Sequence, residues 1–200
     1  MDKVNTLDPK IRATVSAPAI LNLACFVHYA AGLISANGYH SGENYHWPYQ
    51  ETHFRQSGKS ITFLEAAFQW SSWWDDLVDA HAQAAMNGHD VEEDTDHKLP
   101  PSLDPYPALR QAVAEIWPTF WGWWLYPYIG GKMALESAIQ NRLPSLYAQI
   151  TKIAPGHWQW YLIFDDQISP ILHYKAPTGW GILSPHYFWQ LDWITPKIFK

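Results

Sequence analysis

Three aspartates stand close together in the chain, at Asp75, Asp76 and Asp79. In a helix, a rotation of about 100° per residue places their side chains on one arc of about 100°, with Asp79 between the other two. Converging carboxylate oxygens are the ligands that hard divalent cations prefer. The spacing is therefore compatible with a Mg²⁺ or Mn²⁺ site, to which Glu65 would add a further carboxylate.

The same segment, DDLVD at residues 75–79, resembles the aspartate-rich DDxxD motif of isoprenoid synthases and terpene cyclases. The resemblance implies that these aspartates bind magnesium ions, which in turn hold a substrate diphosphate. It covers five residues only. The later helical segment 132–142 offers Glu136 and Ser137 but not the second metal-binding pattern of that family.

Charge is distributed unevenly along the chain. Residues 61–97 hold nine carboxylates and neither Lys nor Arg, whereas the remainder carries 13 cations against 10 anions, so this one segment sets the net charge of -6. Like charges three or four residues apart on a helix repel by about 0.2 to 0.5 kcal/mol per pair. A basic partner would relieve that repulsion, and we expect Glu65, Asp76 and Asp79 to contact it. A solvated helix face is the structural alternative.

Aromatic side chains are the second unusual feature. The chain has 13 Trp, 11 Tyr and 8 Phe, and six of these rings fall between residues 120 and 128. Because one glycine and two prolines interrupt or flank this run, a regular amphipathic helix cannot bury every ring. We therefore expect at least two of Trp121, Trp123 and Trp124 to be partly exposed or to contact a partner. Core packing is the alternative.

Histidines give a weaker signal. His40, His46 and His53 lie in one predicted loop, residues 39–58, with two glutamates between them. Imidazole and carboxylate groups bind Zn²⁺ in many proteins, but spacings of six and seven residues match no recognised zinc site. Hydrogen-bonded or surface histidines are the alternative interpretation.

Composition also argues against several classes of protein. The single cysteine, Cys25, precludes an intramolecular disulfide and favours a reducing compartment, so we predict a cytoplasmic protein. Nucleic-acid binding is unexpected because Lys and Arg do not cluster. Residues 13–42 carry no charged side chain, yet polar residues interrupt them, so we predict a buried helix there instead of a membrane span.

Capping and periodicity signals predict five helical segments, at residues 16–38, 60–88, 105–117, 132–142 and 144–153. The clearest is 60–88, where Ser60 and Thr62 suit the start and Gly88 suits the end. Its apolar positions recur at spacings of three and four and form one stripe: Phe63, Ala67, Trp70, Trp74, Leu77 and His81. Pro118 is predicted to break or kink the third segment.

The C-terminal quarter of the chain has the composition of strands. Residues 157–164 and 168–175 predict a β-hairpin, residues 176–181 a second turn, and residues 187–194 a short strand or docked tail. The fold class is therefore α+β and predominantly helical, a bundle-like core with a small C-terminal antiparallel hairpin or sheet. We predict one domain over residues 1–200, comprising an N-terminal arm (1–15), a helical part (16–154) and a β-rich part (157–200).

These features favour a soluble, non-catalytic protein-interaction or regulatory protein, of which an inhibitor is one form. An acidic helix face and aromatic anchors would bind a basic partner. The alternative is a divalent-metal-dependent enzyme that acts on a phosphate-bearing or polar small substrate, with Asp75, Asp76 and Asp79 as the metal ligands. No cofactor other than Mg²⁺ or Mn²⁺ is expected.

Overall fold

The computed structural model describes residues 12–30, 60–89, 91, 98–126, 130–140, 156–164, 168–184 and 187. Helices predominate and a four-stranded mixed sheet accompanies them, which confirms the predicted α+β, mostly helical class. The elements in chain order are β1 (Arg12–Ser16), α1 (Ala19–Ala30), α2 (Ser60–Asn87), a 3₁₀ turn (Pro101–Leu103), α3 (Pro107–Trp124), α4 (Gly131–Gln140), β2 (His157–Leu162), β3 (Ile171–Lys175) and β4 (Thr178–Leu183).

The sheet has the strand order β1-β2-β4-β3. β2 pairs in parallel with both β1 and β4, while β3 and β4 are antiparallel. The predicted hairpin between residues 157–164 and 168–175 is therefore wrong, because β2 and β3 each pair with β4 and not with each other. The hairpin joins β3 to β4 through Ala176 and Pro177, and β4 occupies most of the segment for which the sequence predicts a second turn.

Two glycines account for the mistaken turn. Gly179 and Gly181 of β4 lie opposite Trp158 and Trp160 of β2. A Cβ atom at Gly179 would lie 2.4 Å from the Trp158 ring, and one at Gly181 would lie 2.7 Å from the Trp160 ring. The two indoles stack on each other with ring centroids 5.1 Å apart, and Tyr174 stacks on Trp158 at 5.2 Å. The glycines make room for these rings in a strand.

The N-terminal segment is a strand over residues 12–16, where the sequence predicts an arm extending to residue 15. β1 pairs with β2 from Arg12 opposite His157 to Ser16 opposite Tyr161. β1 ends at Ser16, and α1 begins at Ala19, whereas the sequence predicts a helical segment from residue 16. The prediction fails here because β1 pairs with a strand that is remote in sequence, and local sequence patterns do not predict such a pairing.

α2 has the bounds that the sequence predicts, from Ser60 to Asn87. Gly88 follows with a φ of 71°, a left-handed conformation that glycine adopts at little cost. The Gly88 amide donates to Ala85 O at 3.2 Å, and the His89 amide donates to Ala84 O at 3.0 Å. These two bonds form a Schellman motif, which satisfies carbonyl groups of the last turn.

α3 continues through Pro118 to Trp124, so the predicted helix end at residue 117 is wrong. Proline lacks the N–H that would pair with Ala114 O, and it normally breaks or kinks a helix. Here Pro118 is exposed, while Phe120 and Trp124 beyond it are buried in the core. Burial of these two large rings outweighs the missing hydrogen bond and keeps the last turn helical.

α1, α2 and α3 pack on one another, and α2 also packs on β4. Asn22 of α1 is fully buried and links this helical layer to the end of β2. Its Nδ2 donates to Leu162 O at 3.0 Å and to Pro18 O at 2.9 Å, and its Oδ1 accepts from the Phe164 amide at 2.8 Å. This one amide therefore satisfies backbone groups of both layers.

Several predicted features lie outside the described residues. They are the end of the first helix near residues 37–38, the histidine loop at 39–58, most of the acidic loop at 90–96, the helix at 144–153 and, apart from Tyr187, the segment 187–194. Of the helices that the structure describes, none has the combination of length and apolar character needed to cross a membrane.

Candidate functional site

α2 presents its DDLVD segment, residues 75–79, on the outside of the fold because its other side is fixed in the core. The Trp70 indole N–H donates to Ala24 O of α1 at 2.9 Å, and the Trp73 indole N–H donates to Ser102 Oγ at 3.1 Å. Both indoles are buried, so these bonds fix the rotation of the helix about its axis. All three aspartates of the segment are exposed as a result.

The acidic face is the exposed side of α2 formed by Glu65, Phe68, Asp75, Asp76 and Asp79. Phe68 precedes Asp75 by about two helical turns and Asp79 by about three, so the three residues lie on one line along the helix. The Phe68 side chain is 78% exposed, the highest fraction among the exposed large apolar side chains of the described residues. The face is thus an apolar ring followed by three carboxylates.

Phe68 is a residue that sequence reasoning missed. The predicted apolar stripe ran through Trp70, Trp74, Leu77 and His81, all of which are buried. Phe68 lies off that stripe, among the polar positions of the helix. A large apolar residue on the polar side of the helical wheel is the sequence signal that could have identified Phe68.

Asp76 differs from the other two aspartates because it has a partner within the fold. The Tyr106 hydroxyl, just before α3, donates a hydrogen bond to Asp76 Oδ2. This hydrogen bond, followed by desolvation and the charges of Asp76 and Asp75, raises the pKa of Tyr106 to about 12. Asp76 therefore helps to attach α3 to α2, in addition to facing solvent.

Asp75 and Asp79 form no ion pair with any Lys or Arg whose side chain the structure describes. Arg110 of α3 is a cation in a neighbouring element, but its Nε lies 3.3 Å from Asp104 Oδ1. Glu65, one and a half turns from the start of α2, accepts a long hydrogen bond of 3.4 Å from Gln69 Nε2. The negative charge of Asp75 and Asp79 is consequently directed at solvent.

The predicted metal site does not form among the residues that the structure describes. Within them, no group of three or more His, Cys, Asp or Glu side chains lies close enough to hold a metal ion. Asp75, Asp76 and Asp79 are all described, and they do not converge as a ligand set. A metal centre built on Asp75, Asp76 and Asp79 therefore stays a prediction, which would need ligands from outside the described residues.

The three predicted tryptophan anchors lie in the core or against it. Trp124 is 2% exposed, so it is a core residue and not a surface anchor. Trp121 and Trp123 are half-buried. Trp123 packs edge-on against Phe164 at a centroid distance of 5.2 Å, and Trp121 packs edge-on against Trp117 at 5.4 Å. These contacts give all three rings a role in packing.

A cavity of about 240 Å³ lies between α1, α2 and α3. We call it the interhelical cavity. Its deep wall is apolar and includes Leu23 of α1, Leu77 of α2 and Phe120 of α3, while Trp117 and Trp121 form its aromatic side. Exposed residues of α2 and of the 3₁₀ turn, among them Ala80, Pro101 and Ser102, form its rim.

His81 is a polar residue in the wall of this cavity, and its side chain is fully buried. Its Nδ1 lies 2.7 Å from Leu77 O. A carbonyl oxygen can only accept, so Nδ1 carries the proton and Nε2 is an acceptor. Burial lowers the pKa of His81, against a smaller opposing effect of the Leu77 bond, so the neutral ring is favoured. Nε2 has no hydrogen-bond partner among the described residues.

No protein-family model, curated protein or solved structure matches this chain. The acidic face and the interhelical cavity are therefore the features of the molecule from which its function is inferred.

Proposed function

We propose that the protein binds a basic protein partner through the acidic face of α2. The observation that carries the proposal is the exposure of Asp75 and Asp79, without a described cation, on the same line of the helix as the 78% exposed ring of Phe68. The partner has Lys or Arg side chains beside an apolar depression, because both properties are needed to complement this face.

Charge and apolar area have different roles in this binding. The exposed carboxylates repel one another along α2, and a partner's cations would remove that repulsion and speed the encounter. The Phe68 ring would bury roughly 150 to 250 Å² in a contact and slow dissociation. The intramolecular bond from Tyr106 leaves Asp75 and Asp79 as the carboxylates most available to a partner.

The charge part of the proposal is tested with a fluorescent synthetic peptide that carries Lys on one side of a helix and Leu on the other. Asp75→Asn/Asp79→Asn removes two negative charges, and the control Glu115→Lys replaces one negative charge with a positive one, so each changes the net charge from -6 to -4. Glu115 is exposed and belongs to α3, a different helix from the one that carries the acidic face. We expect fluorescence anisotropy to show about tenfold weaker binding for the double variant, with a smaller salt dependence.

The dissociation constant of the control should be within about twofold of that of the unmodified protein, since an exposed charge outside the contact contributes little to binding. Equal weakening by the two variants would mean that the peptide responds to net charge alone, and the acidic face would then have no special role.

The apolar part is tested separately with Phe68→Ser. Loss of the ring should raise the dissociation rate about tenfold or more and leave the association rate nearly unchanged, as for an anchor residue at an interface. Stopped-flow measurement of both rates distinguishes this outcome from a purely electrostatic contact. If Phe68→Ser changes neither rate, the ring is not an anchor and the proposal fails in that part.

A further inference from the structure

The interhelical cavity combines three properties that favour a small aromatic ligand. At about 240 Å³ it is larger than the roughly 150 Å³ apolar cavity that holds benzene in another protein. Its wall is formed mainly by aliphatic and aromatic side chains, which suit a flat apolar ring. Its rim residues Ala80, Pro101 and Ser102 are exposed, so a ligand can enter from solvent.

The unpaired acceptor in the wall makes the chemistry more specific. His81 holds its Nδ1 proton on Leu77 O, which leaves Nε2 as a buried lone pair with no partner among the described residues. A buried acceptor without a donor is destabilising, and an incoming O–H or N–H group would relieve that cost. A ring with one such group therefore fits the site better than a hydrocarbon of the same size.

We propose that the interhelical cavity binds a small aromatic molecule that carries one hydrogen-bond donor, such as a phenol, with the ring among Trp117, Trp121 and Leu77 and the donor on His81 Nε2. His81 is fully covered, so neighbouring wall side chains shift to admit the donor. Association is consequently slower than simple diffusion allows. This site is independent of the acidic face, because none of the five residues of that face lines the cavity.

The first test uses the unmodified protein and three probes of similar size. Phenol donates an O–H, whereas anisole and toluene have no donor. Calorimetric titration should give a dissociation constant for phenol about tenfold or more below that for anisole, because only phenol satisfies Nε2. Equal affinity for phenol and anisole would overturn the role of His81, and failure of all three probes to bind at millimolar concentration would overturn the site itself.

Three variants locate the binding. His81→Phe removes the acceptor and keeps a ring of similar size, so phenol should bind about tenfold more weakly while toluene changes by less than about threefold. Ala80→Phe places a ring at the rim and should abolish binding of both probes. Its control is Ala114→Phe, at an exposed position of α3 that does not line the cavity, which should leave both affinities unchanged.

An equal loss of phenol and toluene in His81→Phe would show that the histidine does not contact the ligand, and unchanged binding in Ala80→Phe would show that the probes bind elsewhere. Because Ala80 and Ala114 are both exposed, these two variants remain informative even if His81→Phe does not fold.

Discussion

Asp75, Asp76 and Asp79 look equivalent in the sequence, yet single contacts give them different roles in the structure. Asp76 accepts the hydroxyl of Tyr106 and so belongs partly to the packing of α3 on α2. Asp75 and Asp79 form no ion pair with a Lys or Arg side chain among the described residues. A substitution at Asp76 therefore affects both the fold and the surface, whereas one at Asp79 affects only the surface.

This difference can be measured through Tyr106. Asp76→Asn removes the charged acceptor, so the pKa of Tyr106 should fall from about 12 toward its ordinary value of 10.0. A raised pKa means that the protonated hydroxyl stabilises the fold below pH 10, and that this stabilisation is lost as the pH rises through 12. An NMR titration with ring-labelled tyrosine, assigned with Tyr106→Phe, gives the value. Asp79→Asn should leave it nearly unchanged, and an unchanged pKa in Asp76→Asn would contradict the assignment.

At the scale of elements, two glycines differ in backbone conformation although neither is crowded by neighbouring atoms. They show how backbone conformation determines the effect of an added side chain on stability. Gly88, after α2, has a φ of 71°, while Gly122 lies within α3. A Cβ atom at either position meets no other atom within 4 Å. Any difference between alanine substitutions at these positions therefore comes from conformation and not from packing.

Gly122→Ala should raise the free energy of unfolding by about 0.5 to 1 kcal/mol, because alanine favours a helix and restricts the unfolded chain. Gly88→Ala should lower it by about 1 kcal/mol, because a side chain disfavours the left-handed conformation. Urea denaturation of both variants gives the midpoints and slopes. Shifts of the same sign at both positions would show that the backbone does not control the effect.

Local patterns predicted those elements whose causes are local. The course and the end of α2 follow from its apolar stripe and from Gly88, which lie within the helix or next to it. The course of α3 past Pro118 does not, because burial of Phe120 and Trp124 against other elements overrides the proline. The strand at residues 178–183 could not be predicted from local sequence either. Gly179 and Gly181 suggest a turn, but they are needed because the rings of Trp158 and Trp160 on β2 leave no room for a side chain.

The candidate site divides in the same way. The exposure of Asp75, Asp76 and Asp79 follows from helical periodicity, and so does their position opposite the buried stripe. The contact of Asp76 with Tyr106, the burial of Trp124 and the interhelical cavity depend on how separate elements pack. Sequence periodicity carries no information about distances between elements, so these properties required the structure.

At the scale of the whole molecule, Asn22 holds the helical layer and the sheet together. Its side chain serves the Leu162 carbonyl and the Phe164 amide, about 140 residues away in sequence. Both backbone groups lie in a buried region at the end of β2, where water cannot readily replace the lost bonds.

Asn22→Leu conserves much of the side-chain volume but removes these bonds. The free energy of unfolding should fall by about 2 to 5 kcal/mol, since two buried backbone groups lose a partner. The control Gln111→Leu, at an exposed position of α3, should change it by no more than about 0.5 kcal/mol. Urea denaturation measures both, and a loss in Asn22→Leu no larger than in the control would refute the linking role.

The pairing of β1 with β2 also has a kinetic consequence. Partners in that pair are 145 residues apart, as in Arg12 opposite His157, whereas β3 and β4 are joined by two residues. Loop-closure entropy grows as about (3/2)RT ln n, so closing the longer loop costs about 3 to 4 kcal/mol more than closing the hairpin. The β3–β4 hairpin should therefore form early and β1 should join the sheet late, because the remote pair must overcome the larger closure cost before its contacts form.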